Sequence, residues 1–153
     1  SCAARTHQIL IDQGNTMHPT KIEISGNTRS ALIELLQARL FDAADLASRC
    51  KQAHWNVKGV SFRLLHDLFD ELHTEALQHA DLIAERIVTL GGTATGLPRQ
   101  VAAGTTLPVY PQDATSQEAH IDAMSASLAT FGKYIREAIS RKRTGRTAVG
   151  RDR

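Results

Sequence analysis

The sequence is poor in the features that mark secreted, disulfide-stabilised and membrane-spanning proteins. Its two cysteines, Cys2 and Cys50, are too few for a disulfide framework, and we expect both to be reduced. No apolar run approaches the ~20 residues that a membrane span requires. The start of the chain lacks the apolar core of a signal peptide, so we expect a cytoplasmic protein without a membrane partner. The net charge of +2 is close to neutral and by itself identifies no partner.

What the sequence does have is helical periodicity, within a length of 153 residues that suits a single domain. Strand-like alternation and internal repeats are absent from the sequence, which predicts an all-α fold. We divide the chain into an N-terminal tail at 1–26, a helical domain at 27–140 and a basic tail at 141–153. For the N-terminal tail, phosphate binding and a solvated terminus are the two alternatives.

Two long helices are predicted in the first half of the chain. The first spans about 28–57, with Asn27 or Thr28 as its cap. The second spans about 62–90, from a cap at Ser61 to a stop at Gly91 and Gly92. Because the turn between them is short, we expect an antiparallel hairpin.

The second half predicts a long crossover and a third long helix. Glycines and prolines are frequent at 91–115, and one long connection of this kind is typical of ferritin-like bundles. A short helix near 97–102 fits within this crossover. The third long helix opens at a capping box formed by Thr115 and Glu118 and ends near Ser140.

Two pairs of metal-ligating residue types lie on one face of the second helix. His66 and Asp70 are four residues apart, and so are Asp81 and Glu85, so each pair can bind one ion. The pairs are ~22 Å apart along the helix, which is too far for them to meet within one chain. A second copy, packed antiparallel about a two-fold axis near 73–76, places each pair opposite the other pair of its partner. The spacing therefore predicts metal sites that form only between subunits.

His54, late in the first helix, lies near His66 in such a hairpin and adds a fifth side chain of ligand type. The alternative is that these histidines are ordinary surface or hydrogen-bonded residues. The i, i+4 pairs would then only stabilise the helix, by ~0.2–0.5 kcal/mol each. His73 lies on the same face and is either an accessory ligand or a hydrogen-bonding group at the dimer interface. His79 is expected to point away, and His120 is assigned no role.

Several stretches resemble the signature of the Dps family, small ferritin-like proteins of starved bacterial cells: KQAHWNVKG, LLHDLFDEL, HADLIAERIVTLGGTATG and HIDAMSASLATFGKYIREAI. The resemblance covers about residues 28–140. It implies a ferritin-like bundle whose subunits form a dodecameric shell. It also implies oxidation of ferrous iron at dimer interfaces, preferably with hydrogen peroxide, and storage of the ferric product. Several members of the family also bind DNA.

Carried over to this chain, the resemblance implies that His54, His66 and Asp70 ligate iron from one subunit. Asp81 and Glu85 then ligate it from the dyad mate, and together the five residues form the catalytic ferroxidase site. Carboxylate and imidazole groups suit ferrous iron.

Zinc also accepts this ligand set, so the identity of the metal comes from the resemblance and not from the spacing. Trp55 matches a family tryptophan beside the site, where it takes up stray oxidising equivalents; the alternative is a packed aromatic.

The largest departure from the family lies at the C-terminus. A fourth long helix is expected there, but the chain reads SRKRTGRTAVGRDR, which has too few apolar residues for a bundle wall. We therefore expect the fourth helix to be missing or replaced. Three explanations stay open: a truncated or frame-shifted reading, which we favour, a genuine basic tail, or a wall supplied by another chain. With one wall absent, an apolar patch is expected to be exposed.

The same tail supports a second class of function. Arg141, Lys142, Arg143 and Arg146 are candidates for phosphate contacts with DNA that are independent of sequence. The alternative to a ferroxidase is therefore a non-specific, nucleoid-associated DNA-coating protein. A structural helical protein with weak or no ferroxidase activity is a further alternative.

Overall fold

The computed structural model describes residues 17–148, and the side chains of residues 17–140. Apart from one isolated bridge between Lys58 and Ser116, all regular structure in that part is helical. The elements in order are α1 (Gly26–Asn56), α2 (Phe62–Thr89), α3 (Pro98–Gly104) and α4 (Gln117–Ala148). The predicted all-α fold with one long crossover is confirmed.

The fourth helix in chain order, α4, takes the place of the predicted third long helix. It continues to Ala148, beyond the predicted end at Ser140, so positions 141–148 extend the helix instead of beginning a tail. No further helix follows α4 within residues 17–148. None of the helices in this range is long and apolar enough to cross a membrane.

The first helix begins slightly earlier than the sequence predicts. Ser25 is its cap, and its hydroxyl accepts a hydrogen bond of 3.3 Å from the backbone N–H of Thr28. The prediction of Asn27 or Thr28 as the cap is therefore wrong, because both lie inside the helix. A serine accepts such a bond as readily as asparagine does, so the sequence offered several competing caps.

The start of α2 depends on α4. Ser61 precedes α2 but makes no capping bond with its side chain. Its backbone N–H instead donates to the Oε1 of Gln117, at 3.1 Å. Ser116 in turn caps α4, since its hydroxyl accepts the N–H of Ala119 at 3.2 Å. The cap of α4 is therefore one residue later than the predicted cap at Thr115. The neighbouring residues Ser116 and Gln117 stabilise the starts of both α4 and α2.

Two clusters of buried apolar side chains hold α1 antiparallel against α2. One cluster contains Ala53 and Phe69, and the other contains Ile33 and Ile87 from the opposite ends of the two helices. The predicted apolar stripe of α2 is confirmed, with Leu72 and Ile83 partly buried and five members fully buried: Leu65, Phe69, Ala76, Ile87 and Leu90.

A buried ionic network ties the crossover to α1. Asp42 is fully buried, and its carboxylate accepts hydrogen bonds from the backbone N–H of Thr106 at 2.7 Å and from the Nη2 of Arg39 at 2.8 Å. Arg49 donates to the carbonyl oxygen of Pro108 at 2.5 Å and to the hydroxyl of Ser127 on α4 at 2.9 Å. The crossover and α4 are thereby fixed to the same helix.

An open groove of about 400 Å³ lies between α2 and α4. Its apolar walls include Leu82 and Ile83 from α2 and Phe131 and Ile135 from α4. Leu82 is 63% exposed, because α4 packs on α1 and leaves this side of α2 uncovered. The expected apolar patch is therefore present in the described part of the chain.

The buried network predicts unequal costs for removing two acidic side chains. Asp42→Ala leaves the Arg39 guanidinium without its carboxylate partner, and we expect the free energy of unfolding to fall by about 3 kcal/mol or more. Glu137→Ala removes the acid of the exposed pair with Lys133 and should cost less than about 1 kcal/mol. Urea denaturation of both variants measures the difference, and equal losses would contradict this role of the network.

Candidate metal centre

The hairpin brings His54 and His66 into direct contact, as predicted from the short turn. Their rings stack with centroids 3.6 Å apart. The Nδ1 of His54 lies 2.8 Å from the carbonyl oxygen of His66, and the Nδ1 of His66 lies 2.8 Å from the carbonyl oxygen of His54. A carbonyl oxygen only accepts hydrogen bonds, so both Nδ1 atoms carry the proton. The two Nε2 atoms are therefore the available metal ligands.

Asp70 lies one turn beyond His66 on α2 and forms an ion pair with Lys51 of α1. Its carboxylate is 49% exposed, so it remains accessible from solvent. The hydrogen bond from Lys51 is the main cause that holds the pKa of Asp70 below its usual value. Asp70 is thus an ionised ligand candidate, as cation binding requires.

Asp81 and Glu85 are both exposed on α2 and lie more than two turns beyond Asp70. Within the described residues of one chain, no group of three or more His, Cys, Asp and Glu side chains could hold a metal ion. Among these residues, one chain brings His54 and His66 into contact, while Asp70 and then the pair of acids lie further along α2.

The spacing of the ligand candidates is symmetric along α2. His66 and Glu85 are equally distant in sequence from the midpoint between residues 75 and 76, and so are Asp70 and Asp81. A two-fold axis through that midpoint would place His66 opposite Glu85 and Asp70 opposite Asp81. This arrangement pairs the His66 imidazole and the Asp70 carboxylate of one chain with an acid of the other.

Two apolar side chains that we did not identify from the sequence lie on this same face. Leu77 and Val88 are 48% and 60% exposed, and both project within about 20° of Asp70 around the helix axis. Leu77 and Val88 could have been identified from the sequence, because their spacing places them at nearly the same angle around the helix as Asp70 and Asp81. Apolar side chains exposed next to these acids are typical of a surface that packs against another protein.

Trp55 is 69% exposed. The single chain therefore does not bury Trp55, and whether it is a packed aromatic or acts beside the site stays a prediction. Its position directly after His54 places it at the hairpin end that carries the two stacked imidazoles.

The three remaining histidines of α2 and α4 have other surroundings. The Nδ1 of His73 lies 2.9 Å from the carbonyl oxygen of Ala47, so its hydrogen bond is made within the chain. His79 lines the groove between α2 and α4, away from the ligand face. His120 is fully buried, with its Nδ1 2.6 Å from the hydroxyl of Tyr110.

The predicted DNA-contacting side chains lie outside the part of the structure that is described. Positions 141–146 belong to the last turns of α4, but the side chains of Arg141, Lys142, Arg143 and Arg146 are beyond residue 140. Their assignment stays a prediction.

Comparison with known proteins decides the family. The family model of the ferritin-like domain matches residues 33–144. Over 122 residues the chain is 41% identical to the DNA protection during starvation protein of Agrobacterium fabrum, covering 80% of this chain and 75% of that protein. The chain belongs to the Dps family. This confirms the resemblance inferred from the four sequence stretches.

Solved Dps structures share its fold. DpsC from Streptomyces coelicolor superposes with a TM-score of 0.79 at 29% identity, over 84% of this chain and 75% of that chain. Dps from Mycobacterium smegmatis in its tetragonal form gives a TM-score of 0.75 at 29% identity, over 81% and 75% of the two chains. The ferritin-like architecture of this Dps chain is therefore established by both sequence and structure.

Burial of His120 predicts a loss of stability in acid. Burial is the main cause that lowers the pKa of His120 below its ordinary value of 6.5. The unfolded chain then binds a proton more readily than the folded one, so stability is retained above about pH 6.5 and falls as the pH decreases. His120→Gln removes the group whose protonation causes this loss. The free energy of unfolding, measured with urea at a series of pH values, should therefore fall less steeply with decreasing pH in this variant. An identical decline in both proteins would exclude His120 as the responsible group.

Proposed function

We propose that this protein is a ferroxidase that binds ferrous iron between two subunits, oxidises it with hydrogen peroxide and sequesters the ferric product. The observation that carries this proposal is the reciprocal hydrogen bonding of His54 and His66. It leaves two Nε2 atoms available at one end of the hairpin, and Asp70 follows His66 by one turn of α2. Imidazole and carboxylate together form a ligand set that suits ferrous iron.

The second half of each site comes from another copy of the chain. Asp81 and Glu85 are exposed and are matched in spacing to Asp70 and His66. The exposed Leu77 beside the two-fold axis, and Val88 one turn beyond Glu85, supply apolar surface for the contact. We infer a homodimer with two equivalent sites as the smallest active unit, and the dodecameric shell expected of the family as the storage form.

The chemistry requires a pair of irons because hydrogen peroxide accepts two electrons. Two ferrous ions each lose one electron, the peroxide O–O bond breaks, and both oxygens enter the ferric product as oxide or hydroxide. With two further waters, the products are two units of ferric oxyhydroxide and four protons. When two ferrous ions at one site transfer both electrons to the same hydrogen peroxide molecule, no hydroxyl radical is released. A single ferrous ion would transfer one electron and generate that radical. DNA in the same cell is thereby protected from oxidative damage.

The residues of this chain have separate tasks in that reaction. The histidines bind ferrous iron through Nε2, because their Nδ1 atoms donate to backbone carbonyls. The carboxylates offset the positive charge, which rises when iron becomes ferric.

Removing one ligand from either half should stop rapid oxidation. We expect His66→Ala and Asp81→Ala each to lower the rate of peroxide-driven iron oxidation by about 100-fold or more, since metal sites lose 10–100-fold even from outer-shell changes. Stopped-flow absorbance of the ferric product measures the rate. His79→Ala is the matched control on the opposite side of α2 and should retain the wild-type rate. Normal rates in both ligand variants would refute the assignment.

Mixing the two inactive variants tests whether the site lies between subunits. A heterodimer of His66→Ala with Asp81→Ala carries both defects in one site and none in the other. After unfolding and refolding an equal mixture, about a quarter of the wild-type activity should return, because half the dimers are mixed and each has one intact site. No recovery would place the site within a single chain. A structural protein without ferroxidase activity would show no oxidation in any of the variants.

A second function, non-specific DNA binding, is favoured by the basic end of α4. The helix continues to Ala148 through a segment that carries Arg141, Lys142, Arg143 and Arg146. Two relatives, from Agrobacterium fabrum and Mycolicibacterium smegmatis, bear the name DNA protection during starvation protein. Phosphate contacts by these side chains would coat DNA without reading its sequence.

This proposal predicts a steep dependence on salt. In gel shifts, the affinity for DNA should fall as the salt concentration rises, with a smaller slope when Arg141, Lys142 and Arg143 are replaced by Gln. The wild-type protein and the triple variant should oxidise iron at equal rates. An affinity that does not respond to salt would exclude phosphate neutralisation.

A further inference from the structure

A tyrosine and a buried histidine form a pair that the proposed ligand set does not include. The hydroxyl of Tyr110, on the crossover, lies 2.6 Å from the Nδ1 of His120 on α4. His120 is fully buried, and the half-buried ring of Tyr110 packs against the apolar cluster that contains Phe69. The crossover and α4 thus place a phenol and an imidazole in direct hydrogen-bond contact beside the core.

Burial sets the protonation states of this pair. It is the main cause that raises the pKa of Tyr110, to about 12, so the phenol keeps its proton near neutral pH. Burial is also the main cause that lowers the pKa of His120, so its imidazole is neutral there. A neutral imidazole has one nitrogen without a proton. The phenol therefore donates its O–H to the unprotonated Nδ1 of His120.

This hydrogen bond provides what Tyr110 needs in order to lose an electron. A phenol that has lost an electron is a strong acid, so its proton must pass to a base already in contact with it. The Nδ1 of His120 lies within the distance at which a positioned side chain accepts a proton. The backbone of Ala114 and Asn56 raises the pKa of His120 in part and so favours the imidazolium that would form. The pair thus combines an electron donor with a proton acceptor.

The pair adjoins both helices that carry the proposed ligands. The rings of His120 and Phe69 meet edge to face, with centroids 6.3 Å apart, and Phe69 immediately precedes Asp70 on α2. On α1, the backbone of Asn56 acts on the imidazole of His120, and Asn56 lies in the same helical turn as His54. Each contact is therefore made within two residues of a proposed ligand.

We propose that Tyr110 is a redox-active residue that reduces one-electron oxidants formed at the metal centre, with His120 as its proton acceptor. This inference rests on the proposed function, because the ferrous iron and hydrogen peroxide of that reaction generate the oxidant. It forms when a site holds a single ferrous ion, which transfers one electron and cleaves hydrogen peroxide into hydroxide and a hydroxyl radical.

The electrons and protons of this reaction balance. Tyr110 gives one electron to the hydroxyl radical, which becomes hydroxide. The O–H bond of Tyr110 breaks and an N–H bond forms at the Nδ1 of His120, which leaves a neutral phenoxyl radical beside an imidazolium. A second ferrous ion then returns one electron to the phenoxyl and becomes ferric, while His120 returns the proton. Two ferrous ions that arrive one after the other thus reduce one peroxide without releasing a radical.

Tyr134 is the other tyrosine of the sequence and has different surroundings. The guanidinium of Arg39 lies 4.6 Å from the centroid of its ring, where a cation opposes the loss of an electron. The guanidinium of Arg49 lies further from the Tyr110 ring, at 6.0 Å. Tyr134→Phe is therefore the matched control, since it removes the same hydroxyl from the tyrosine that we expect not to react.

Electron paramagnetic resonance tests the proposal. The full chain is mixed with fewer ferrous ions than sites and with excess hydrogen peroxide, and is then frozen rapidly. We expect a tyrosyl radical in the wild type, identified by the narrower spectrum of protein that contains ring-deuterated tyrosine. The radical should disappear in Tyr110→Phe and remain in Tyr134→Phe.

His120→Gln tests the proton acceptor separately. Glutamine can accept the hydrogen bond of Tyr110 but cannot take its proton, so the early radical signal should fall by about tenfold or more. A hydrogen bond with a purely structural role would leave this signal unchanged. Circular dichroism checks that each variant is folded, and His120→Gln serves if Tyr110→Phe is not.

Stopped-flow oxidation of iron in the same samples separates this inference from the proposed function. If the wild type oxidises iron but forms no tyrosyl radical, or if Tyr110→Phe keeps the radical, the role of Tyr110 is overturned and the site assignment stands. An unchanged signal in His120→Gln overturns the role of His120. If the wild type does not oxidise iron, both proposals fail. A radical that is lost in Tyr110→Phe, weakened in His120→Gln and kept in Tyr134→Phe supports the inference.

Discussion

The structure depends first on the closure of the α1–α2 hairpin. At its closed end, His54 and His66 each donate an Nδ1 proton to the carbonyl oxygen of the other residue. These bonds use backbone carbonyls at the end of one helix and the start of the next, so they fix the register of the two helices. They also fix the tautomer of both rings. The same contact that sets the packing thus prepares the two imidazoles for the metal chemistry that we propose.

A second constraint comes from charges buried beside α1. Asp42 and Arg49 bind the backbone of the crossover at Thr106 and Pro108, far from either in sequence. A long connection rich in glycine and proline has little helix or strand of its own, so side chains of α1 supply the hydrogen-bonding partners that its backbone requires. The crossover then places α4 against α1, and the groove beside α2 follows from that placement.

Helical periodicity was enough to predict the three long helices and the apolar stripe of α2, and the glycines and prolines at 91–115 predicted the crossover. Local signals were weaker: Ser25, Asn27 and Thr28 all have capping side chains, and only tertiary context selects Ser25. The ion pair of Lys51 with Asp70 was not predicted, because nothing in either residue's local sequence identifies a partner nineteen positions away. The same applies to Asp42 and Arg49, whose partners lie in a segment without periodicity. The proposed ligands were accessible to sequence reasoning because four of the five lie on one regular helix.

The short connection between α1 and α2 also bears on how the chain folds. His54 and His66 are separated by 12 residues, whereas Arg49 and its α4 partner Ser127 are separated by 78. Contacts that close short loops form faster than those that close long ones. We therefore expect the hairpin to form early and α4 to dock late. All five proposed ligands lie between residues 54 and 85, so their geometry is set in the fast-folding part of the chain, before the slow step that completes the subunit.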